Sequence, residues 1–362
     1  MGKYKICVYA ICKNEKKFAA RWYDSMKEAD GVYVLDTGST DGTPDAFRQL
    51  GAVVEEKDIS PWRFDTARNR SMAMLPDDCD ICVCTDIDEV FHAGWREKLE
   101  AAWRNGVKRA RYRYTWNFNP DGSEGIVFFS DKIHARRGFR WVNPVHEILQ
   151  YDDGDYQTVT VPGMQLDHHA DDSKSRAQYL PLLELSVAEN PNDDRGMHYL
   201  GREYMFRGRY DEAIQTLQRH LAMPAAVWRD ERCASMRYIG KCLEKSGKSQ
   251  EAENWYFRAV AEAPYLREPW IDAALFAYRR QDWELMTAFC KRALAITEIP
   301  DTYITEAASR GSLPYDLLSL GLYHTGRYRE AAAAAETAAQ LSPADVRIQR
   351  NLQLIKQALK QE

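Results

Sequence analysis

The chain has 362 residues, more than one hydrophobic core usually organises, so at roughly 150 residues per domain about two domains are expected. Apolar residues make up 45% and charged residues 28%, proportions that exclude a wholly disordered, collagen-like or disulfide-scaffold protein. Against 49 Lys and Arg stand 54 Asp and Glu, and this net charge of −5 gives no electrostatic footprint for a general nucleic-acid or membrane-surface binder.

The first residues carry no apolar core or small-residue cleavage site of a secretory signal, and a cytoplasmic protein is expected. Residues 5–11 read as a buried strand, 15–28 as a helix, and 31–35 as a second strand. This strand ends in the polar turn Asp36-Thr37-Gly38-Ser39-Thr40-Asp41-Gly42-Thr43-Pro44, as an α/β domain of nucleotide-binding type begins. In open α/β sheets ligands gather outside the carboxyl ends of strands, which makes Asp36 and Ser39 donor-site candidates. Thr43 and Asp41 are expected to turn the chain and cap the helix opening at Pro44.

A third strand is expected at 53–54, then a helix opening over 62–70 with Arg68 and Asn69 near its start and Met72, Met74 and Leu75 on its apolar face. Residues 80–85 form a continuously apolar strand that empties into Asp86-Ile87-Asp88-Glu89. Strand alternation would put Asp86 and Asp88 on one side, where two carboxylates suit a hard cation carrying diphosphate oxygens. Acidic pairs at strand ends are commonly solvated, so the pair draws its weight from its place after the other elements. Cys79, Cys82 and Cys84 lack zinc-site spacing, and all eight cysteines suit reduced, buried thiols. Apolar runs such as 81–84 and 331–335 fall far short of the ~20 residues that span a bilayer.

Taken in order, Cys12-Lys13-Asn14-Glu15, the turn from Asp36 to Thr43, Arg68-Asn69 and Asp86-Ile87-Asp88-Glu89 resemble a family 2 glycosyltransferase of the GT-A fold. The resemblance covers about residues 4–170 and implies a nucleotide-sugar donor, UDP-linked by expectation, and a divalent metal, Mn or Mg. It implies donor-side roles for Asn14, Glu15, Ser39 and Asn69. Asp36 and Arg68 would meet the base, Asp86 the ribose, and Asp88 the metal.

Farther on, Arg109, Arg111 and Arg113 alternate with Ala110, Tyr112 and Tyr114 as in a strand with one basic face. These arginines either meet phosphate, with Trp116 stacking on a sugar or base, or simply form a solvated face. Lys132 to His134, Arg136-Arg137, Phe139-Arg140-Trp141 and Val145-His146-Glu147 resemble the acceptor-side segment of the same transferases. Inverting transfer needs a base for the acceptor proton; Glu147 is the first choice and His146 the second, with Asp121 or Glu124 as fallbacks, and the alternative is that Glu147 only orients His146 or a loop. In Leu166-Asp167-His168-His169, His168 best matches the late histidine that the family supplies to the metal.

After about residue 173 the strand pattern stops and Ala, Leu, Glu and Arg dominate. Gly208, Gly247 and Gly326, with Gln281 in a fourth copy, align as turns of helix pairs starting near Asp194, Cys233, Arg267 and Ser312. Small residues precede each turn (Gly201, Gly240, Ala274, Ser319), and Ala213, Ala252, Met286 and Ala331 follow it. This resembles the tetratricopeptide repeat, and His220 and Met286 at tight positions suggest looser packing. The expectation is an α/β GT-A-type domain over 1–170 and an all-α tetratricopeptide-repeat domain over 171–362. The function expected is metal-dependent, inverting glycosyl transfer to a protein, peptide or glycan, the fusion resembling repeat-bearing glycosyltransferases of bacteria and phages. Alternatives are transfer to modified nucleic-acid bases and a catalytically inactive repeat-based binding module.

Overall fold

The computed structural model describes residues 2–119, 122–171, 177–298, 300 and 302–361, so Asp121 lies outside the described residues. The chain forms two compact units, Met1–Ser186 and Val187–Glu362. The expected division after residue 170 follows the last strand, whereas the first unit also takes in the start of the next helix.

In the first unit the chain runs β1 (Ile6–Cys12), α1 (Lys16–Met26), β2 (Gly31–Asp36), α2 (Thr43–Leu50), β3 (Val53–Glu56), α3 (Phe64–Ala73) and β4 (Ile81–Cys84). It continues through β5 (Glu89–Phe91), α4 (Trp95–Ala102), β6 (Val107–Thr115), β7 (Val127–Ala135), β8 (Phe139–Val142), β9 (Ile148–Tyr151) and β10 (Gln157–His168), and α5 (Tyr179–Glu189) follows. Among the described residues one sheet has the order β3-β2-β1-β4-β7-β6-β10-β5, and β8 and β9 form a separate hairpin. Strands β1 to β4 are mutually parallel, and β7 enters antiparallel beside β4. The chain builds outward from β1 through β2 to β3, then returns to place β4 on the other side of β1. The crevice beyond the carboxyl ends of β1 and β4 is thus a topological switch point.

Alternation along β1 divides the core. Ile6, Val8, Ala10 and Cys12 share one cluster with Trp22, Phe47, Trp95 and Leu99 from α1, α2 and α4. Cys7 and Tyr9 face the other side, with Met72, Leu75, Cys82, Cys84, Phe139, Trp141 and Leu149. Both faces are covered, which is why the strand reads as a continuous apolar run. All eight cysteines are buried and unbridged.

In the second unit helices pair as α6 (Asp194–Phe206) with α7 (Tyr210–Ala222), α8 (Arg229–Lys245) with α9 (Ser249–Glu262), α10 (Arg267–Arg279) with α11 (Trp283–Leu294), and α12 (Leu313–His324) with α13 (Tyr328–Leu341). A short 3-10 turn (Ala307–Ser309) precedes α12, and α14 (Val346–Gln361) covers the last pair. Helix α8 starts ahead of the expected Cys233. All four aligned turn residues are left-handed: Gly208 (φ 73°), Gly247 (76°), Gly326 (74°) and, without glycine, Gln281 (58°). The small residues permit close approach, because a Cβ on Gly201 would lie 2.5 Å from Leu217 Cγ and one on Gly240 2.9 Å from the Tyr256 ring. Met286 and His220 are fully buried at their tight positions.

Candidate functional site

The loops after β1 and β2 are tied to each other. Asp36 is 1% exposed; its Oδ1 accepts the backbone N–H groups of Gly38 (3.0 Å) and Ser39 (2.8 Å), and its Oδ2 accepts the Ser39 hydroxyl (2.5 Å). Asn14, at a left-handed φ of 56°, donates its backbone N–H to Ser39 Oγ (2.8 Å), and its side-chain oxygen accepts Thr40 N–H (2.7 Å). Glu15 N–H donates to Thr43 Oγ1 at 2.9 Å and Lys16 N–H to Asp41 Oδ2 at 3.2 Å. Thr43 and Asp41 therefore serve the amino end of α1, and Asp41 Oδ1 also accepts the N–H of Thr43 (3.0 Å), the first residue of α2, as expected for the turn before that helix. The reason for the first role is tertiary: the second loop lies beside the orphan N–H groups of the first helix.

The site's most connected side chain is Arg68, 4% exposed on α3. It donates Nη2–H to Asp86 Oδ1 at 2.7 Å, Nη1–H to Cys84 Sγ at 3.3 Å and Nε–H to Glu147 Oε1, and its guanidinium lies 5.2 Å from the Trp141 ring centre. Lys132, from antiparallel β7, donates to Asp86 Oδ2 at 2.8 Å and to Glu89 Oε1 at 3.1 Å. Burial opposes the Asp86 charge most strongly, but Arg68 and Lys132 outweigh it and hold the carboxyl well below the usual carboxylate range. Glu89 is fully enclosed, accepts Asp86 N–H (2.8 Å) and the Tyr114 hydroxyl (2.8 Å), and is pushed upward chiefly by burial.

The alternation expected for Asp86 and Asp88 fails, because the strand stops at Cys84 and the chain turns at 87–88. Asp86 meets Arg68 and Lys132, whereas Asp88 faces His168, with Oδ2 3.6 Å from Nε2. His168 engages the Trp116 carbonyl through Nδ1 at 2.9 Å and stacks on the Trp116 ring at 4.7 Å. Burial alone would lower the His168 pKa, but Asp88 and the Trp116 carbonyl raise it above the ordinary value. A ring that donates Nδ1–H to a carbonyl presents the Nε2 lone pair to Asp88, the outer-shell pattern of a metal-binding histidine. The donors thus fit a divalent cation, though Asp88 and His168 are a pair and further ligands would have to come from solvent or substrate. Trp116, 42% exposed beside them, offers a stacking face.

The remaining candidates divide. Glu147 joins the Arg68 chain. His146 sits at φ 51° with its ring edge-on to Tyr179 at 5.8 Å. Asn69 spends its amide on the Trp141 backbone, donating to the carbonyl (2.8 Å) and accepting from the N–H (2.8 Å), so it fastens α3 to the β8–β9 hairpin. Arg109 bonds the carbonyls of Asp131 (3.0 Å) and Leu149 (3.3 Å), and Arg113 pairs with Glu124. That pairing comes first among the influences that pull the Glu124 carboxyl down to about 2. The sequence names Lys132 and Glu89 only within motifs and gives them no role of their own; the signal for Lys132 is register, since β7 runs antiparallel to β4 with Val83 opposite Ile133.

In the second unit a cavity of about 590 Å³ is lined in part by Lys241, Tyr256, Glu268, Asp272, Arg279 and Glu306. Residues 197–230 match the tetratricopeptide repeat family model, and the other helix pairs of this unit repeat the same helix-turn-helix arrangement. No curated protein matches the chain. Similar solved structures include MamA, at 14% identity and TM-score 0.37 over 46% of this chain and 89% of that one. They also include the Cut9-Hcn1 hetero-tetramer of APC/C, at 13% and 0.41 over 51% and 33%, and the first TPR domain of human RPAP3, at 19% and 0.31 over 36% and 95%. No helix among the described residues is long and apolar enough to cross a membrane.

Proposed function

We propose that the first unit is a metal-dependent, inverting glycosyltransferase of family 2 and GT-A fold. It moves a sugar from a UDP-linked donor to a protein, peptide or glycan acceptor that the repeats recruit. The observation that supports this reading is the junction of distant segments at the carboxyl side of the parallel strands, where Arg68, Asp86, Lys132 and Glu147 form one ion chain. Such a site combines cationic groups for a diphosphate with carboxylates for hydroxyls, proton and metal.

Asp88 and His168 would hold Mn or Mg, whose charge would offset that of the leaving diphosphate. Asn14, Glu15, Asp36 and Ser39 shape the donor side, and Asn69 acts by fixing the hairpin behind Arg68. The acceptor oxygen or sulfur bonds the anomeric carbon as the bond from that carbon to the diphosphate oxygen breaks. The bonding pair leaves with UDP, and Glu147 takes the acceptor proton. Arg68 holds Glu147 through Oε1, which would leave Oε2 to take the proton. The bonds of Arg109 to the Asp131 and Leu149 carbonyls and of Arg113 to Glu124 weigh against the arginine row as a nucleic-acid contact. A second reading, a peptide-binding module beside an inactive α/β unit, is favoured by the repeat match and the cavity of about 590 Å³.

The test is incubation of the full chain with a panel of nucleotide sugars and Mn, reading nucleoside diphosphate release. Asp88→Ala should abolish Mn-dependent donor binding in calorimetry. Glu147→Gln should lower turnover ~10²–10⁴-fold while donor affinity persists. Neither binding nor release with any donor in the panel would overturn the reading and leave the binding module.

A further inference from the structure

The second unit encloses a group of side chains that glycosyl transfer does not use. His220, on α7, is fully buried. Its Nδ1 lies 2.9 Å from Ser235 Oγ, which is also 2.7 Å from Nδ1 of the buried His198. Its Nε2 is enclosed and makes no hydrogen bond. That nitrogen faces Glu231 Oε1 at 3.3 Å, off the axis of a hydrogen bond, while Glu231 Oε2 is held by the Tyr303 hydroxyl at 2.5 Å. The Asp194 carboxylate, in the first turn of α6, completes a set of three ligand atoms within 4.8 Å of one another.

We propose that Asp194, His220 and Glu231 form a binding site for a divalent transition-metal ion of the zinc type, which clamps α6, α7 and α8 together.

Ser235 has one hydroxyl proton between two imidazole nitrogens, so only one ring can receive it and the other must donate Nδ1–H to the oxygen. When His220 is the donor, its Nε2 lone pair points towards carboxylate oxygen, an opposition that a cation converts into coordination. The spacing suits this: with metal bonds of ~2.0–2.2 Å, the edge of a tetrahedron is about 3.4 Å. One imidazole with two carboxylates is a donor set that zinc accepts. Among the described residues, neither Asp194 nor Glu231 has a lysine or arginine within ion-pair distance. The nearby guanidinium of Arg195 lies instead over the rings of Tyr199 (5.5 Å) and Tyr303 (5.4 Å). Ser235, Tyr303 and His198 supply an outer shell that fixes the ligands, and half-buried Asp194 leaves an entry path. Because the ligands come from both helices of one repeat and the first helix of the next, metal binding couples to the stability of that junction.

The test uses the full chain carrying Asp88→Ala and His168→Ala, so that it is independent of the transferase reading. The stripped protein is titrated with Zn against a chromogenic chelator, with hydrogen exchange followed over residues 194–245. One equivalent should bind and slow exchange in α6, α7 and α8. Asp194→Asn and Glu231→Gln should each weaken binding at least ~10-fold, the order lost when metal-site partners are removed. Asp194 is only half-buried, so its variant keeps the test open if replacements of His220 disturb folding. Failure of the background protein to bind Zn, or equal binding by Asp194→Asn and Glu231→Gln, would overturn the proposal.

Discussion

Each unit buries one arginine between two carboxylates and backs one of those carboxylates with a lysine. Arg68 pairs with Asp86 and Glu147, and Lys132 also holds Asp86; Arg237 pairs with Asp272 and Glu306, and Lys241 also holds Asp272. The two arrangements differ at the second carboxylate. Glu147 has 11% of its side chain exposed, whereas Glu306 has 41%. The same charge pattern therefore opens to water at different ends, at Asp86 (36% exposed) in the first unit and at Glu306 in the second, where Asp272 is buried. A buried ion pair is costly to break only where the abandoned charge cannot reach solvent, so losing the arginine falls harder on the enclosed Glu147 than on Glu306.

Arg68→Ala gives the sharpest test of this difference and the largest effect. It strands Glu147 while Lys132 keeps Asp86 neutralised, and should cost about 3–5 kcal/mol. Arg237→Ala should cost less, about 1–3 kcal/mol, because Glu306 turns to water while Lys241 keeps Asp272 paired. Urea unfolding with hydrogen exchange assigned to each unit measures both, and equal losses would break the comparison.

An effect below that of Arg68→Ala, and dependent on pH, comes from histidines buried without charge in both units. Burial comes first in pushing His134 down to about 4 and His198 down to about 3. His134 holds the Tyr9 hydroxyl at 2.7 Å, and that hydroxyl also meets Trp141 Nε1 at 2.8 Å. The unfolded imidazole protonates near its ordinary value while the folded one does not, so the folded state binds fewer protons. Stability is full above about pH 6.5 and falls as the pH drops towards 4, by about 3 kcal/mol for His134. Urea midpoints between pH 7 and 4 should fall for wild type and flatten in part for His134→Gln; parallel curves would refute the assignment.

The smallest expected effect probes the repeats' local geometry. Gln281 holds a left-handed turn at φ 58° where three copies have glycine. Gln281→Gly should stabilise the second unit by up to about 1 kcal/mol, the strain relieved exceeding the added chain freedom. A lower urea midpoint would show that the Gln281 side chain matters more than its backbone.

Legibility followed the distance in sequence over which each feature is built. The turn residues, the small positions and the parallel strands up to β4 were readable because their patterns lie within single helix pairs or strands. Gln281 illustrates this: alignment marked it as a turn without glycine, and its φ agrees. The sequence also marked Asp86, Asp88, Arg68, Glu147 and His168 as a group. The resemblance divided them by role, with Asp88 and His168 on the metal, but strand alternation put Asp86 and Asp88 on one side because it gives no warning that the chain turns at 87–88.

Only the tertiary structure decided the partners. It sent Asp86 to Arg68 and Lys132 across 18 and 46 positions, Arg68 to Glu147 across 79, and Asp88 to His168. It turned Asn69 into a clasp on the Trp141 backbone and made Thr43 and Asp41 partners of the first helix as well as the second. It also enclosed His220 with Asp194 and Glu231, where the sequence suggested only a loosened helix pair. Periodicity is a local property of the chain, fixed by helix rise and strand pleat, so sequence determines it directly. Which charges face one another depends on register and crossing between elements far apart in the chain, and there the fold alone supplies the answer.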